Sequence, residues 1–282
     1  MKLLITGSPK SGKSTILSEL IAGVSPRRGF ITKELVKDQR RTGFVVEDMN
    51  GLSAVLAQTQ NPTSLQVGRF YVLPEVLGQF TRNLSHPEAG ELLYLDEIGQ
   101  MQLYFNEFKL LVEEYLDAPN VFVATITSVY SDEFTKHVLN RDDAVFFHLT
   151  DVNRNEVKKS LRIALDNKDL FNELPPALQN TVVGYANDYL KENSFISFGK
   201  LFTNAIKYFL EARISTVGID TYAVKGDTNE HIVHYKLKSD WSCDCPLSNG
   251  SMPYDESADC SHVQAVRLYI ASLQRLQHSP VI

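Results

Sequence analysis

Lys2-Leu3-Leu4-Ile5-Thr6-Gly7-Ser8-Pro9-Lys10-Ser11-Gly12-Lys13-Ser14-Thr15 joins a short aliphatic run to a turn that matches G-x-x-x-x-G-K-[ST] from Gly7 to Ser14. Ile16, Leu17, Leu20 and Ile21 follow at helical spacing, so the turn is predicted to sit between a strand and an amphipathic helix. Glycine lets such a turn curl until successive backbone N–H groups point inward. The helix start adds partial positive charge, and together they cradle phosphate oxygens. Lys13 is expected to reach the β- and γ-phosphates of a nucleotide such as ATP or GTP, and the Ser14 hydroxyl to ligate Mg2+. Gly7, Ser8, Pro9, Lys10, Ser11, Gly12, Lys13, Ser14 and Thr15 are the expected nucleotide contacts.

A second metal anchor is needed at the end of a buried strand. Leu92-Leu93-Tyr94-Leu95-Asp96-Glu97 supplies an apolar run that ends in two carboxylates. Asp96 fits the acid that holds Mg2+, and Glu97 fits a general base that activates water. The adjacent glutamate favours hydrolysis over transfer to an acceptor. Arg27, Arg28, Lys33, Lys37, Arg40 and Arg41 crowd one predicted hairpin, where they either meet a triphosphate or form a solvated face. Arg141 and Arg154 are candidates for an arginine finger acting in cis or in trans, and Thr125 and Thr127 for residues that sense the γ-phosphate.

Working outward, strands are expected at 2–6, 30–35, 42–47, 92–95, 121–125 and 145–149, with helices at 14–22, 105–116, 132–139 and 153–165. That alternation predicts an α/β fold of three layers with a mostly parallel sheet. Two apolar stripes follow, one from Ala177 to Leu190 and one from Leu201 to Leu210, and they predict a packed helical hairpin. Strands at 222–225 and 232–237 and a helix from 261 to 276 complete the chain. The expected organisation is a nucleotide-binding domain over 1–165, a helical segment over 166–220 and a small ββα-like module over 221–282.

Residues 1 to about 165 resemble the thermophile-type, or cancer-related, nucleoside triphosphatases of the P-loop superfamily. The residues that carry the likeness beyond the P-loop are Gly29-Phe30-Ile31-Thr32-Lys33-Glu34, Arg41-Thr42-Gly43-Phe44, Val67-Gly68-Arg69-Phe70, Asp96-Glu97-Ile98-Gly99-Gln100-Met101, Phe108 and Asn153-Arg154. The resemblance implies slow Mg2+-dependent hydrolysis of several nucleoside triphosphates with little base preference. Two positions depart from the family pattern. Lys10 replaces a glycine usual in the P-loop, and Gln102 replaces an acid usual after the methionine.

All three cysteines share one window, Cys243-Asp244-Cys245 and Cys260-Ser261-His262. Three thiolates and an imidazole make a closed tetrahedral zinc set with no position left for a substrate water, so the expected metal is structural. The pattern C-x-C-x(n)-C-x-H behind two strands and before a helix resembles the SWIM-type zinc finger, which implies a module that binds protein or nucleic acid. From Lys200 onward there are 8 Lys and Arg against 9 Asp and Glu, and Asp255, Glu256 and Asp259 lie between the ligand pairs. Nucleic acid is therefore disfavoured and a protein partner preferred. Trp241, Tyr254 and Tyr235 offer stacking surfaces, and His231, His234 and His278 are expected to be exposed, without ligand spacing.

Composition agrees with these readings. The 282 residues are 43% apolar and 22% charged, with net charge −6, which excludes a disordered chain and a polycation. No apolar run is long enough for a membrane span. An odd cysteine count does not suit a disulfide framework, and a reducing cytoplasm is the expected compartment.

Overall fold

The computed structural model describes residues 1–236, 240–246 and 259–278. Leu237, Tyr254, Asp255, Glu256 and the His278 side chain lie outside the described residues. The chain divides into two compact units, Met1–Lys158 and Lys159–Ile282.

The first unit runs β1 (Lys2–Gly7), α1 (Lys13–Ile21), β2 (Arg27–Lys37), β3 (Arg40–Asp48), β4 (Ser53–Gln58), β5 (Gln66–Val67), β6 (Phe70–Val72), α2 (Pro74–Leu84), β7 (Leu92–Ile98), α3 (Gln100–Leu103), α4 (Asn106–Asp117), β8 (Phe122–Ile126), α5 (Glu133–Leu139) and β9 (Ala144–Leu149). α6 (Arg154–Asp166) contains the division between the units. One nine-stranded sheet has the order β5-β6-β4-β3-β2-β7-β8-β1-β9. β2, β7, β8, β1 and β9 form its parallel block, and β3 to β6 add an antiparallel extension at one edge.

Sequence pattern explains the block. Leu3, Leu4, Ile5, Leu93, Leu95, Val123 and Ala124 have no exposed surface, as strands covered on both faces require. On one face Leu4, Phe30, Leu95 and Ala124 share a core with Leu77 and Phe80 of α2 and Phe108, Leu111 and Tyr115 of α4. α1 buries the apolar stripe read from the sequence. The extension was only half expected. The hairpin of β2 and β3 is present and longer than predicted, whereas β4, β5, β6 and α2 occupy a stretch, 50–91, where no element was expected.

β2 is seated against β7 at very close range. A Cβ on Gly29 would stand 1.8 Å from the carbonyl oxygen of Tyr94, so only glycine allows this approach. Arg28 locks the same junction, with Nε 2.7 Å and Nη2 3.0 Å from the Glu91 carboxylate. That hydrogen-bonded pairing raises the Arg28 pKa and lowers that of Glu91.

The second unit contains α7 (Lys168–Glu173), α8 (Pro176–Lys191), α9 (Phe195–Lys200), a π-helical turn at Leu201–Ala205, α10 (Ile206–Leu210), β10 (Ile214–Gly218), β11 (Thr221–Lys225), β12 (Glu230–Lys236), β13 (Asp240–Cys243) and α11 (Ser261–His278). The stripes expected to form a hairpin are α8 and the run from α9 to α10. On that run Phe202 packs against Phe198 and against Phe171 of α7, at 4.9 and 6.2 Å between ring centres. β11 and β12 pair as expected, but β10 and β13 flank them in a four-stranded antiparallel sheet. β10 carries no apolar face to read: four of its five residues are exposed. The helical segment and the cysteine-bearing segment, read from sequence as two pieces, share this one unit. No helix among the described residues is long and apolar enough to cross a membrane.

Candidate functional site

β1 ends at Gly7, and the chain then curls into α1 with Gly12 in the left-handed region at φ 100°. A Cβ on Gly12 would meet Arg154 Nη2 at 2.7 Å. Arg154 donates from Nη2 to the Ser11 carbonyl at 2.6 Å, so this arginine straps the loop to the start of α6. Lys13 is buried, and its Nζ donates to the carbonyls of Gly7 at 2.9 Å and Ser8 at 3.2 Å. Ser128 Oγ also donates to the Gly7 carbonyl, at 2.8 Å.

β8 lies between β1 and β7, so the carboxylate that ends β7 is carried across its neighbour toward the loop. Ile31 of β2 stands level with Asp96, and Leu95 is level with Ala124 of β8. Asp96 Oδ1 accepts from Ser14 Oγ at 3.0 Å and from Thr125 Oγ1 at 2.5 Å. Thr32 Oγ1 donates to the Asp96 carbonyl, and buried Gln102 approaches Thr32 Oγ1 at 3.4 Å. The neutral Gln102 thus supports the strand that carries the acid. Asp96 Oδ2 is buried and has no hydrogen-bond partner. Burial pushes the Asp96 pKa up, against the hydrogen bonds from Thr125 and Ser14 and the charge of Lys13.

Glu97 Oε1 lies 4.0 Å from Lys13 Nζ, with 37% of its side chain still open. Loss of solvent raises its pKa, Lys13 opposes the shift, and Asp96 adds to it. A carboxylate held in this way is a better proton acceptor than a free one. Asp96 and Glu97 share a cavity of about 560 Å3 with Gly7, Pro9, Lys10, Gly12, Lys13, Ser14 and Thr15 on the loop side. Ser8 and Ser11 support that wall without lining it: the Ser8 carbonyl receives Lys13, and Ser11 is buried. The opposite wall comes from the hairpin, with Thr32, Lys33, Glu34, Arg41 and Phe44, and from Thr127, Ser128 and Val129 after β8.

The hairpin cations divide. Arg27 donates to the Ile21 carbonyl and Arg28 is spent on Glu91, while Lys37 and Arg40 are exposed and do not line the cavity. Only Lys33 and Arg41 of the six line it. Neither arginine-finger candidate lines the cavity of its own chain. Arg141 chelates Asp143 just before Ala144, whose strand partner is Lys2, so it sits at the far end of β1 from the loop. Arg154 is nearer but committed to Ser11, and it does not line the cavity. Sequence reasoning missed Thr32, Glu34, Phe44 and Ser128. The signal for Ser128 was present, since polar residues just past the end of a buried parallel strand face the ligand crevice of such sheets.

In the second unit Cys243, Cys245, Cys260 and His262 bring their ligand atoms within 4.8 Å of one another. The three sulfurs are buried, and Cys243 Sγ is 3.7 Å from His262 Nδ1. His262 stacks on Tyr208 with ring centres 5.8 Å apart. The Cys245 and Cys260 thiols, then burial, drive the Cys243 pKa up. His231 is not exposed as expected. Its ring packs 4.3 Å from His262 and its Nδ1 lies 3.0 Å from Asp244, while His234 is exposed. Asp259 accepts from Tyr189 Oη at 2.8 Å and pairs with Arg267. Tyr235 and Trp241 stack on each other at 4.6 Å, and Arg267 covers the Trp241 ring.

The family model described as NTPase matches residues 2–162. A protein named nucleoside-triphosphatase THEP1 from Thermotoga sp. (strain RQ2) is 36% identical over 159 residues, which is 56% of this chain and 91% of that protein. Its counterpart in Thermotoga maritima is 35% identical over the same shares. The crystal structure of THEP1 from the hyperthermophile Aquifex aeolicus superimposes with a TM-score of 0.50 at 27% identity, covering 57% of this chain and 96% of that one.

Proposed function

Because the chain belongs to the NTPase family, we propose that it is a Mg2+-dependent nucleoside triphosphatase of broad base specificity, and that its cysteine and histidine cluster holds a structural zinc. One observation carries the first part: Lys13, Ser14, Asp96 and Glu97, drawn from two distant stretches of sequence, line a single cavity. The buried, unpartnered Oδ2 of Asp96 beside the Ser14 hydroxyl is a hard oxygen set that suits Mg2+. When bound, Mg2+ would neutralise phosphate charge and orient the chain of phosphates.

The protein's own residues do the rest. Backbone N–H groups of the loop hold the β-phosphate region, and the Lys13 ammonium leaves its carbonyl partners for phosphate oxygen. Glu97 takes a proton from water as the water oxygen bonds to the γ-phosphorus. The bond from that phosphorus to the bridging oxygen breaks, and its electron pair stays on the nucleoside diphosphate. Products are the diphosphate and inorganic phosphate. No base-specific donor is required by this chemistry, in keeping with broad specificity.

The test is steady-state phosphate release with ATP and GTP, alongside equilibrium binding of a fluorescent triphosphate. Lys13→Ala is expected to lose both binding and turnover. Glu97→Gln is expected to keep binding within a few-fold and lose turnover by roughly 10²-fold or more. Robust hydrolysis by Glu97→Gln would refute the role given to Glu97.

For the zinc, three sulfurs and one nitrogen within 4.8 Å match a closed tetrahedral set. Its contribution would be folding energy for the segment that carries the four ligands.

A further inference from the structure

As the γ-phosphoryl group departs, charge builds at the end of the triphosphate beside two carboxylates, Asp96 and Glu97, and one lysine in the cradle is a thin counterweight. Arg141 and Arg154 do not line the cavity. Its lining cations are Lys10, Lys13, Lys33 and Arg41. Lys10 stands exposed on a left-handed turn at φ 67°, and Lys33 spends its ammonium on Glu47, 2.6 Å away and outside the cavity lining.

Arg41 is built differently. Its Nη1 lies 2.7 Å from Glu34, and its guanidinium covers the Phe44 ring at 5.5 Å; both partners also line the cavity. Its main chain is braced as well, because Arg69 Nη2 donates to the Arg41 carbonyl at 2.7 Å, and the Arg69 guanidinium rests on Phe70, which packs edge-on against Phe44. Within this held side chain the Nε is buried and has no hydrogen-bond partner. Such a donor is costly to leave unsatisfied, and a small shift of the side chain toward an acceptor entering the cavity would relieve it.

The direction of approach identifies the acceptor. β2 runs parallel to β7 with Ile31 level with Asp96, so Thr32 to Glu34 continue past the carboxylates, and β3 folds back to set Arg41 opposite Val36. β8 and β7 separate this hairpin from β1 and its loop. An anion that spans the cavity from the loop therefore meets Lys13 at its β- and γ-phosphates and Arg41 from the far side of its outermost one.

We propose that Arg41 is a catalytic residue of the triphosphatase, donating to the oxygens of the γ-phosphoryl group and strengthening that contact as the bond to the diphosphate breaks. It stays charged and gives up no proton. The inference rests on the triphosphatase reading above.

The full-length protein tests it through Arg41→Ala, Arg41→Lys and, as a control for general hairpin charge, Arg40→Ala. The readouts are kcat, KM, and affinity for ADP with and without aluminium fluoride, which mimics the phosphoryl group in transit. Arg41→Ala should lower kcat by about 10²–10³-fold with KM and ADP affinity within about threefold of the parent. It should also lose the extra affinity that aluminium fluoride confers. Arg41→Lys should recover part of kcat, and Arg40→Ala should stay within about twofold, since screened surface charge contributes little. Thermal midpoints of all variants check that the hairpin is intact, and Arg41→Lys retains the stem over Phe44 if Arg41→Ala loosens it. A kcat for Arg41→Ala within threefold of the parent, or equal losses of ADP and ADP–fluoride affinity, would overturn the proposal while leaving the triphosphatase reading in place. A parent without triphosphate turnover would remove that reading and this inference with it.

Discussion

The chain carries two candidate ion sites constructed on opposite plans. In the first unit the oxygen donors stand on Ser14 in the first turn of α1 and on Asp96 of β7, a strand whose Leu95 belongs to an apolar core running from Leu4 and Phe30 to Phe108 and Tyr115. In the second, Cys243 and Cys245 at and just past the end of β13 and Cys260 and His262 at the start of α11 bring their ligand atoms within 4.8 Å of one another. The first plan gives a cavity that can be filled and emptied as substrate turns over. In the second, on the proposal above, the ion would be a part of the fold. The difference teaches that a metal's place in the folding energetics, more than its ligand count, separates a working site from a structural one.

The largest expected effect breaks the comparison if it fails. Elemental analysis should find one zinc per chain, and Cys260→Ser should lose it together with the dispersed amide signals of β11, β12 and the first turns of α11, whereas Lys13→Ala should leave folding untouched. A metal-free second unit that remains folded would contradict the plan. A smaller effect is expected at Arg28, which secures β2 to β7 with no ion involved. Arg28→Ala should destabilise the protein by about 2 kcal/mol in chemical unfolding, less than a fully buried pair loses because part of both side chains stays wet, and added Mg2+ should not restore it.

The smallest effect sharpens the contrast inside the first unit. Glu91 has its pKa lowered by the hydrogen bonds and charge of Arg28, so its contribution to stability is present above the unfolded value of about 4.3 and fades as pH falls. Glu97 is shifted the other way by burial, so its contribution is full below that value and is lost as pH rises through its folded pKa. In the nucleotide-free protein at pH 7.5, Glu91→Gln should therefore lower the thermal midpoint and Glu97→Gln should raise it. Both differences should shrink toward pH 4. Two shifts of the same sign at pH 7.5 would show that the Glu97 carboxylate is not held under strain for function.

Much of the first unit was legible because its signals are local. The loop from Gly7 to Ser14 fixes its own backbone, and a doubly buried strand ending in Asp96-Glu97 announces itself by hydrophobicity alone. What escaped was whatever depends on pairing at a distance. β4 to β6 are short, half-exposed strands whose pattern carries little, and Thr32, Glu34 and Phe44 gain meaning only when the hairpin is laid beside β7. Arg141 misled for the same reason, since nearness to a strand in sequence does not say which end of the sheet it occupies. In the second unit the ligand set was plain from spacing, but β10 shows no apolar alternation, and the partial burial of His231 follows from Asp244 and His262 closing around it.

The most direct test of the central claim is a crystal structure of the full chain with Mg2+ and a non-hydrolysable triphosphate. The account predicts phosphates enclosed by the backbone from Ser8 to Ser14, the metal on Ser14 and Asp96, and the outermost phosphate between Glu97 and Arg41. A ligand bound elsewhere, or Asp96 turned from the metal with its Thr125 contact broken, would contradict it.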